Sequence, residues 1–95
     1  MAYEIHFSEE KNQILKATRG IDFEQVVDLL ASGKLLDDKQ HPDLNKPHQR
    51  IYIIQVDKYA YVIPYIINKK RNEIFLKTIY PSRKFTKQYI KKGEK

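Results

Sequence analysis

The chain contains no cysteine, which excludes disulfides and thiolate metal centres outright. Its three glycines, Gly20, Gly33 and Gly93, stand far apart. No glycine-rich loop can therefore be built from them to cradle the phosphates of a nucleotide. No apolar run approaches the roughly 18 residues that a membrane span requires. The opening Met1-Ala-Tyr-Glu-Ile-His6 has neither the basic n-region nor the apolar h-region of a signal peptide. The expectation is a cytoplasmic protein with no membrane partner. Ninety-five residues suit one domain, 1–95, whose moderate core leaves no room for a deep cavity around a complex cofactor, so none is expected. A hydrophobic content of 41% is too high for an intrinsically disordered polymer. No internal repeat or low-complexity segment is present.

Charge is unevenly placed. Residues 1–68 hold eight Lys or Arg against ten Asp or Glu, a balance of −2, whereas residues 69–95 hold ten against two, a balance of +8. Whatever surface the last strand and tail occupy carries a concentrated positive field. Such a field suits a phosphate backbone or an acidic protein partner, and a solvated basic tail is the plainer alternative.

Tyr3 to Phe7 alternates polar and apolar side chains and predicts a short strand or extended lead-in. Ser8 follows as an N-cap, with Glu9 and Glu10 in a first turn that favours carboxylates. Ile14 and Leu15 give this helix a narrow apolar stripe, and Gly20 closes it. Asp22 and Gln25 stand in a capping-box relation, with Ile21 and Val26 as a hydrophobic staple. Phe23, Val26, Val27 and Leu30 then recur at helical spacing, and Gly33 ends the second helix. Lys34 to Asp37 begins a strand, and residues 38–49, with Pro42 and Pro47, read as a loop. Two β-patterned runs, Arg50–Val56 and Tyr59–Ile67, flank a tight turn at Asp57-Lys58. After a basic turn at 68–72, Glu73–Tyr80 reads as the last strand. Ser82 caps a final helix over 83–92 whose Phe85, Tyr89 and Ile90 face the sheet. The expected fold is α+β: two N-terminal helices packed on one face of an antiparallel meander of about four strands, with a short C-terminal helix.

Candidate chemistry rests on cations and tyrosines. His6, His41 and His48 lack paired metal-ligand spacing, and a convergence of His41 and His48 with Asp37 or Asp38 is a weak prospect, so no metal is expected. Ser8, Ser32 and Ser82 each fit a helix end better than a nucleophile. Arg50 opens a strand, Lys77 interrupts an otherwise apolar one, and Arg83 follows it. A cation within a strand is costly unless it faces solvent or a ligand. Each also has a bland reading: a solvated strand end, an aggregation-blocking edge charge, or a loop residue. Tyr65 and Tyr80 lie near the basic segment, and aromatic rings beside lysines are what single-stranded RNA binding uses. Lys84, Lys87 and Lys91 complete the expected RNA-contact set, although most of the tyrosines simply fill a small core.

The order of Ile5-His-Phe-Ser-Glu-Glu-Lys-Asn12, Arg19-Gly-Ile-Asp-Phe-Glu24, the strand opening at Arg50, and Pro81-Ser-Arg-Lys-Phe-Thr86 ahead of a basic helix near Tyr89 resembles the BrnT-type toxins of bacterial toxin–antitoxin pairs. The resemblance spans nearly the whole chain. It departs from the family at His6-Phe7-Ser8, where a Trp-Asp pair is usual, and at Thr18, where a histidine or lysine is common. Lys77 also precedes Arg83 by six positions where five are usual. The resemblance implies a RelE-like fold, metal-independent endoribonuclease activity, RNA as substrate and a cognate antitoxin as partner, in a complex that can be of higher order. It also implies that Arg50, Lys77 and Arg83 form the catalytic set, which an antiparallel meander would gather at one end of its exposed face. In that chemistry the RNA 2′-hydroxyl attacks its own phosphodiester, so the protein orients phosphate, stabilises charge and assists proton transfer. Lys77 is then a base or a fixed charge, and Tyr65 or Tyr80 supplies a proton or a stacking face. A non-catalytic RNA- or DNA-binding module and a RelE-like toxin aimed at a topoisomerase are the alternatives.

Overall fold

A computed structural model of the chain describes residues 3–90. It is an α+β structure in which a mixed six-stranded sheet carries helices on both faces. Strand β1 (Glu4–Phe7) leads into helices α1 (Glu9–Arg19) and α2 (Phe23–Ala31). Strands β2 (Leu35–Gln40), β3 (Gln49–Val56), β4 (Tyr59–Asn68), β5 (Glu73–Leu76) and β6 (Tyr80–Pro81) follow. The chain then turns into α3 (Arg83–Phe85), continued by wider π-helical turns over Thr86–Ile90.

Local signals set the two N-terminal helices. Ser8 accepts a hydrogen bond from the Lys11 amide at 3.1 Å, and Gly20 closes α1 with a φ of 70° that a side chain would make costly. At α2 the capping box is complete: Asp22 accepts from the Gln25 amide at 2.9 Å, and Gln25 accepts from the Asp22 amide at 3.1 Å. Within the expected stripes, Leu15, Phe23 and Val26 are buried, whereas Ile14 is half exposed and Val27 only partly covered. Asn12 joins the helices, its buried Oδ1 accepting from the Phe23 amide at 2.7 Å.

The sheet runs β1-β5-β4-β3-β2, with β6 added to β4. Strands β2 to β5 form the expected antiparallel meander, but β1 enters beside β5 in parallel, Ile5 opposite Ile74. Helices α1 and α2 carry the chain from β1 to β2 at the far edge of the sheet, and the meander returns to β5, so a long connection separates the parallel pair. Strand β2 also runs further than expected, because Asp38, Lys39 and Gln40 pair with Tyr52, Ile51 and Arg50. The polar loop therefore begins at His41.

The expected last strand is broken, and Pro64 is the physical reason. Tyr65 pairs with Leu76, so Lys77 lies against Pro64; its amide donates to the Pro64 carbonyl at 2.8 Å. Proline has no N–H to return that bond, and the regular ladder stops. Pairing resumes with Tyr80 opposite Val62, three residues beyond Lys77 where β4 has advanced by two. The extra residue is a bulge that reverses the alternation. Ile79, expected beside Lys77, instead joins Leu76 in the core.

That core lies on two sides of the sheet. Leu15, Ile21, Phe23 and Val26 cover Ile54, Ile63, Tyr65 and Leu76 on one face. On the other, expected to be open, Phe85, with Tyr89 and Ile90 beside it, covers Ile51, Ile53, Ala60 and Val62. Thr86 fixes this second cover: its buried hydroxyl accepts from the Ala60 amide at 2.8 Å and donates to the Ser82 carbonyl at 2.7 Å.

Candidate anion-binding site

Arg50 leaves β3 on the α1/α2 face, opposite Tyr65 in β4 and Gln40 in β2. Its Nε donates to Asp38 Oδ1 at 3.2 Å and lies 3.1 Å from the Tyr65 hydroxyl, while Nη2 donates to the Asp38 carbonyl at 3.1 Å. Tyr65 in turn donates to Asp38 Oδ1 in a short hydrogen bond, and its ring stacks on Tyr52 at 4.0 Å between centroids. Burial, then the bond to Asp38, drives the Tyr65 hydroxyl well above the ordinary tyrosine range, so it stays a donor. The Tyr65 hydroxyl and the Asp38 carboxylate raise the Arg50 pKa further, and the guanidinium is permanently charged.

These bonds use one edge of the guanidinium. Among the described residues Nη1 has no partner, and the side chain is 40% exposed. Arg50 lines a hollow of about 340 Å³ at the end of β3 and β4, together with Gln40, His48 and Lys69. Pro47, Ile66 and Ile67 supply an apolar wall. An arginine held along one edge, an imidazole and a lysine around one concavity bring together donors and positive charge of the kind that suits an anion. Two larger hollows, of about 420 and 480 Å³, carry Asp28 with Asp57 and Glu24 with Asp28 respectively. Lys34 also lines the first of these, but in neither do cations outnumber carboxylates.

The other expected cations do not join Arg50. Lys77 reaches back over the Phe75 ring, Nζ 5.8 Å from its centroid, on the face away from Arg50. Arg83 follows Ser82, whose amide donates to the Ala60 carbonyl at 2.9 Å. That point on β4 is five residues from Tyr65, roughly 17 Å of strand, and on the C-terminal helix's face. Lys84 and Lys87 are exposed beside Arg83, with Lys84 Nζ 5.6 Å from the Phe85 ring centroid. Lys91 lies outside the described residues. Tyr65, expected as a stacking face for a base, is 1% exposed with its ring already stacked. It acts on Arg50 instead. Tyr80 is partly buried against the second core, and that desolvation raises its pKa.

His48 and Lys69 escape a reading by strand pattern because both lie in connections, where no periodicity marks a face. The weak convergence of His41 and His48 with the aspartates does not form: Asp37 bonds Tyr89, Asp38 bonds Arg50, and His41 accepts from the Asp43 amide at 3.1 Å. Elsewhere, Glu4, His6 and Glu73 bring their ligand atoms within 4.8 Å of one another on the uncovered face of β1 and β5. There His6 Nε2 is 2.8 Å from Glu4 and 3.5 Å from Glu73. No described helix is long and apolar enough to cross a membrane. Compared with known proteins, the chain matches no family model, no curated protein and no solved structure.

Proposed function

We propose that the protein is a metal-independent endoribonuclease, the toxin of a toxin–antitoxin pair on a RelE-like fold, and that it holds the RNA phosphate at Arg50. The observation that carries phosphate binding is the hollow where a fixed guanidinium meets His48 and Lys69. RNA and the toxin role come from the resemblance to BrnT-type proteins. The planar fork of Arg50 binds two phosphate oxygens and stabilises the charge that grows as the 2′-hydroxyl attacks. Arg83, Lys84 and Lys87 form a separate basic surface that extends the RNA track or receives an acidic antitoxin segment.

The separation of Lys77 and Arg83 from Arg50 favours a second reading, in which the protein binds RNA without cutting it. Cleavage of single-stranded RNA in EDTA, with product ends identified, decides between them. Parent protein is expected to yield 2′,3′-cyclic phosphates, and Arg50→Ala to lower the rate about 10²-fold. Arg83→Ala and Lys77→Ala should stay within a few-fold of parent. RNA bound but left intact establishes the binding module. Loss through Arg83 with Arg50→Ala unaffected removes the pocket as the site.

A further inference from the structure

We infer that His48 is the proton-transfer residue of the Arg50 hollow, which seats one RNA nucleotide across the bond that breaks. The inference rests on the ribonuclease reading and adds the group that reading lacks. Of the three histidines, His6 sits between Glu4 and Glu73 and His41 accepts from the Asp43 amide. The imidazole of His48 has no hydrogen-bond partner among the described residues, and it lines the same hollow as Arg50.

His48 belongs to a loop, but its backbone is held on both sides. The Pro47 carbonyl accepts from Gln40 Nε2 at 3.2 Å. The Gln49 amide donates to the Lys46 carbonyl at 3.1 Å, and the Gln49 carbonyl accepts from the His41 amide at 3.1 Å. An exposed, unengaged imidazole is thus carried on a braced frame beside a braced guanidinium. The charged groups facing it are Arg50 and Lys69, with Asp38 behind Arg50.

The step is self-contained. A bond forms between the ribose 2′-oxygen and phosphorus as the bond from phosphorus to the 5′-oxygen breaks. The proton of the 2′-hydroxyl passes to the His48 imidazole, while the departing 5′-oxygen, on the opposite side of phosphorus, takes a proton from water and the imidazolium then returns its own to solvent. The products are a 2′,3′-cyclic phosphate and a free 5′-hydroxyl, with no co-reactant. Arg50 and Lys69 hold the non-bridging oxygens. Pro47, Ile66 and Ile67 offer the adjoining nucleoside an apolar wall.

Two measurements test this. In the first, His48→Ala is compared with parent on single-stranded RNA across pH 5 to 8, the range in which imidazoles titrate. The variant should lose about 10²-fold or more in rate together with the acid limb of the profile, and added imidazole should restore part of both. Its melting temperature should not move, since the side chain is exposed. In the second, cytidine 3′-monophosphate is titrated into the parent while the His48 resonance is followed against pH. That resonance should move progressively as the nucleotide fills the hollow. Parental rate and profile in His48→Ala overturn the inference and leave the ribonuclease reading standing. A parent that cuts no RNA removes that reading and the proton transfer with it. A His48 resonance indifferent to the nucleotide removes the seat whatever the cleavage result.

Discussion

Asp37 and Asp38 are neighbours in β2, yet their side chains leave opposite faces of the sheet and each meets a different tyrosine. Asp38 faces the side covered by α1 and α2, where Tyr65 is almost wholly buried and Arg50 completes the network. Asp37 faces the side covered by the C-terminal helix, and its hydroxyl partner is Tyr89 near the end of the described chain. One aspartate orients a cation at a hollow; the other fastens a short helix to the strands beneath it. The contrast shows that a single strand can serve a site on one face and a clamp on the other, provided each face has its own core.

The two cores are unequal, and the largest expected effect measures how unequal. Ile53 and Ile54 are adjacent, identical in type and fully buried on opposite faces. Replacing either by Ala falls in the roughly 2–5 kcal/mol range for buried isoleucine. Ile54→Ala should cost about 4 kcal/mol, because it opens a cavity between the sheet and two well-capped helices that cannot close it. Ile53→Ala should cost about 2 kcal/mol, since the short C-terminal cover can settle into the space. Denaturant unfolding of both variants supplies the comparison. Equal losses would mean that the C-terminal cover is as rigid as the α1/α2 layer.

Next comes Asn12, which ties α1 to α2 above the larger core. Asn12→Ala strands the buried Phe23 amide and should cost about 2 kcal/mol, the scale for an unsatisfied buried donor. A change near zero in the same unfolding experiment would mean that water takes over the bond.

The sequence shows α1, α2 and the β3–β4 hairpin because their signals are local: a serine cap, a capping box, and Asp57 supplying a left-handed φ of 56° at the turn. It hides what depends on a distant partner. Pro64 sits inside a run that reads as ordinary strand, and its missing N–H acts on Lys77, thirteen residues later. With β5 interrupted there, the alternation that placed Lys77 and Ile79 on one face no longer holds. Arg50 is legible as a cation at a strand opening, but its bracing by Asp38 depends on β2 running past Asp37 into residues that resemble loop. Lys69 becomes a neighbour of Arg50 only when the ends of β3 and β4 meet, whereas His48 stands two positions ahead of it in the chain. Val27, which the helical period places in the core stripe, packs against that core but is only partly covered, and it also lines a groove beside Phe7.

Tyr65 sharpens the comparison through pH. Its folded pKa is raised, so the folded protein keeps a proton that the unfolded chain gives up near pH 10. The hydroxyl therefore contributes its full stability below about pH 10, and the contribution is lost as pH rises toward the folded value. Tyr65→Phe should lower stability at neutral pH by about 1.5 kcal/mol, through the loss of hydrogen bonds to a charged partner. It should also flatten the alkaline decline seen in urea titrations between pH 9 and 11. A variant whose alkaline slope matches the parent would assign that slope to the other tyrosines with raised pKa values, Tyr52, Tyr80 and Tyr89.

The smallest effect belongs to the clamp on the opposite face and has the opposite pH sense. The Tyr89 hydroxyl, and then the Asp38 amide, hold the Asp37 carboxyl below its ordinary pKa of 3.8. A carboxylate depressed by folding stabilises the fold above the unfolded value and loses that contribution as pH falls through the folded one. Tyr89→Phe should therefore cost only about 0.5 kcal/mol at neutral pH, the low end for one part-buried hydrogen bond. As pH falls through the lowered Asp37 value the difference from parent should shrink, because that carboxyl is then protonated in both proteins. The same variant should speed amide hydrogen exchange across Thr86–Ile90 while leaving β3 and β4 protected, since loosening this helix need not open the α1/α2 core. Arg50 and its hollow lie on the other face, so any RNA binding or cleavage under the proposed function should be unchanged. If Tyr89→Phe instead weakened protection throughout the sheet and RNA cleavage together, the two faces would be one cooperative unit, and the division of labour between Asp37 and Asp38 would fail.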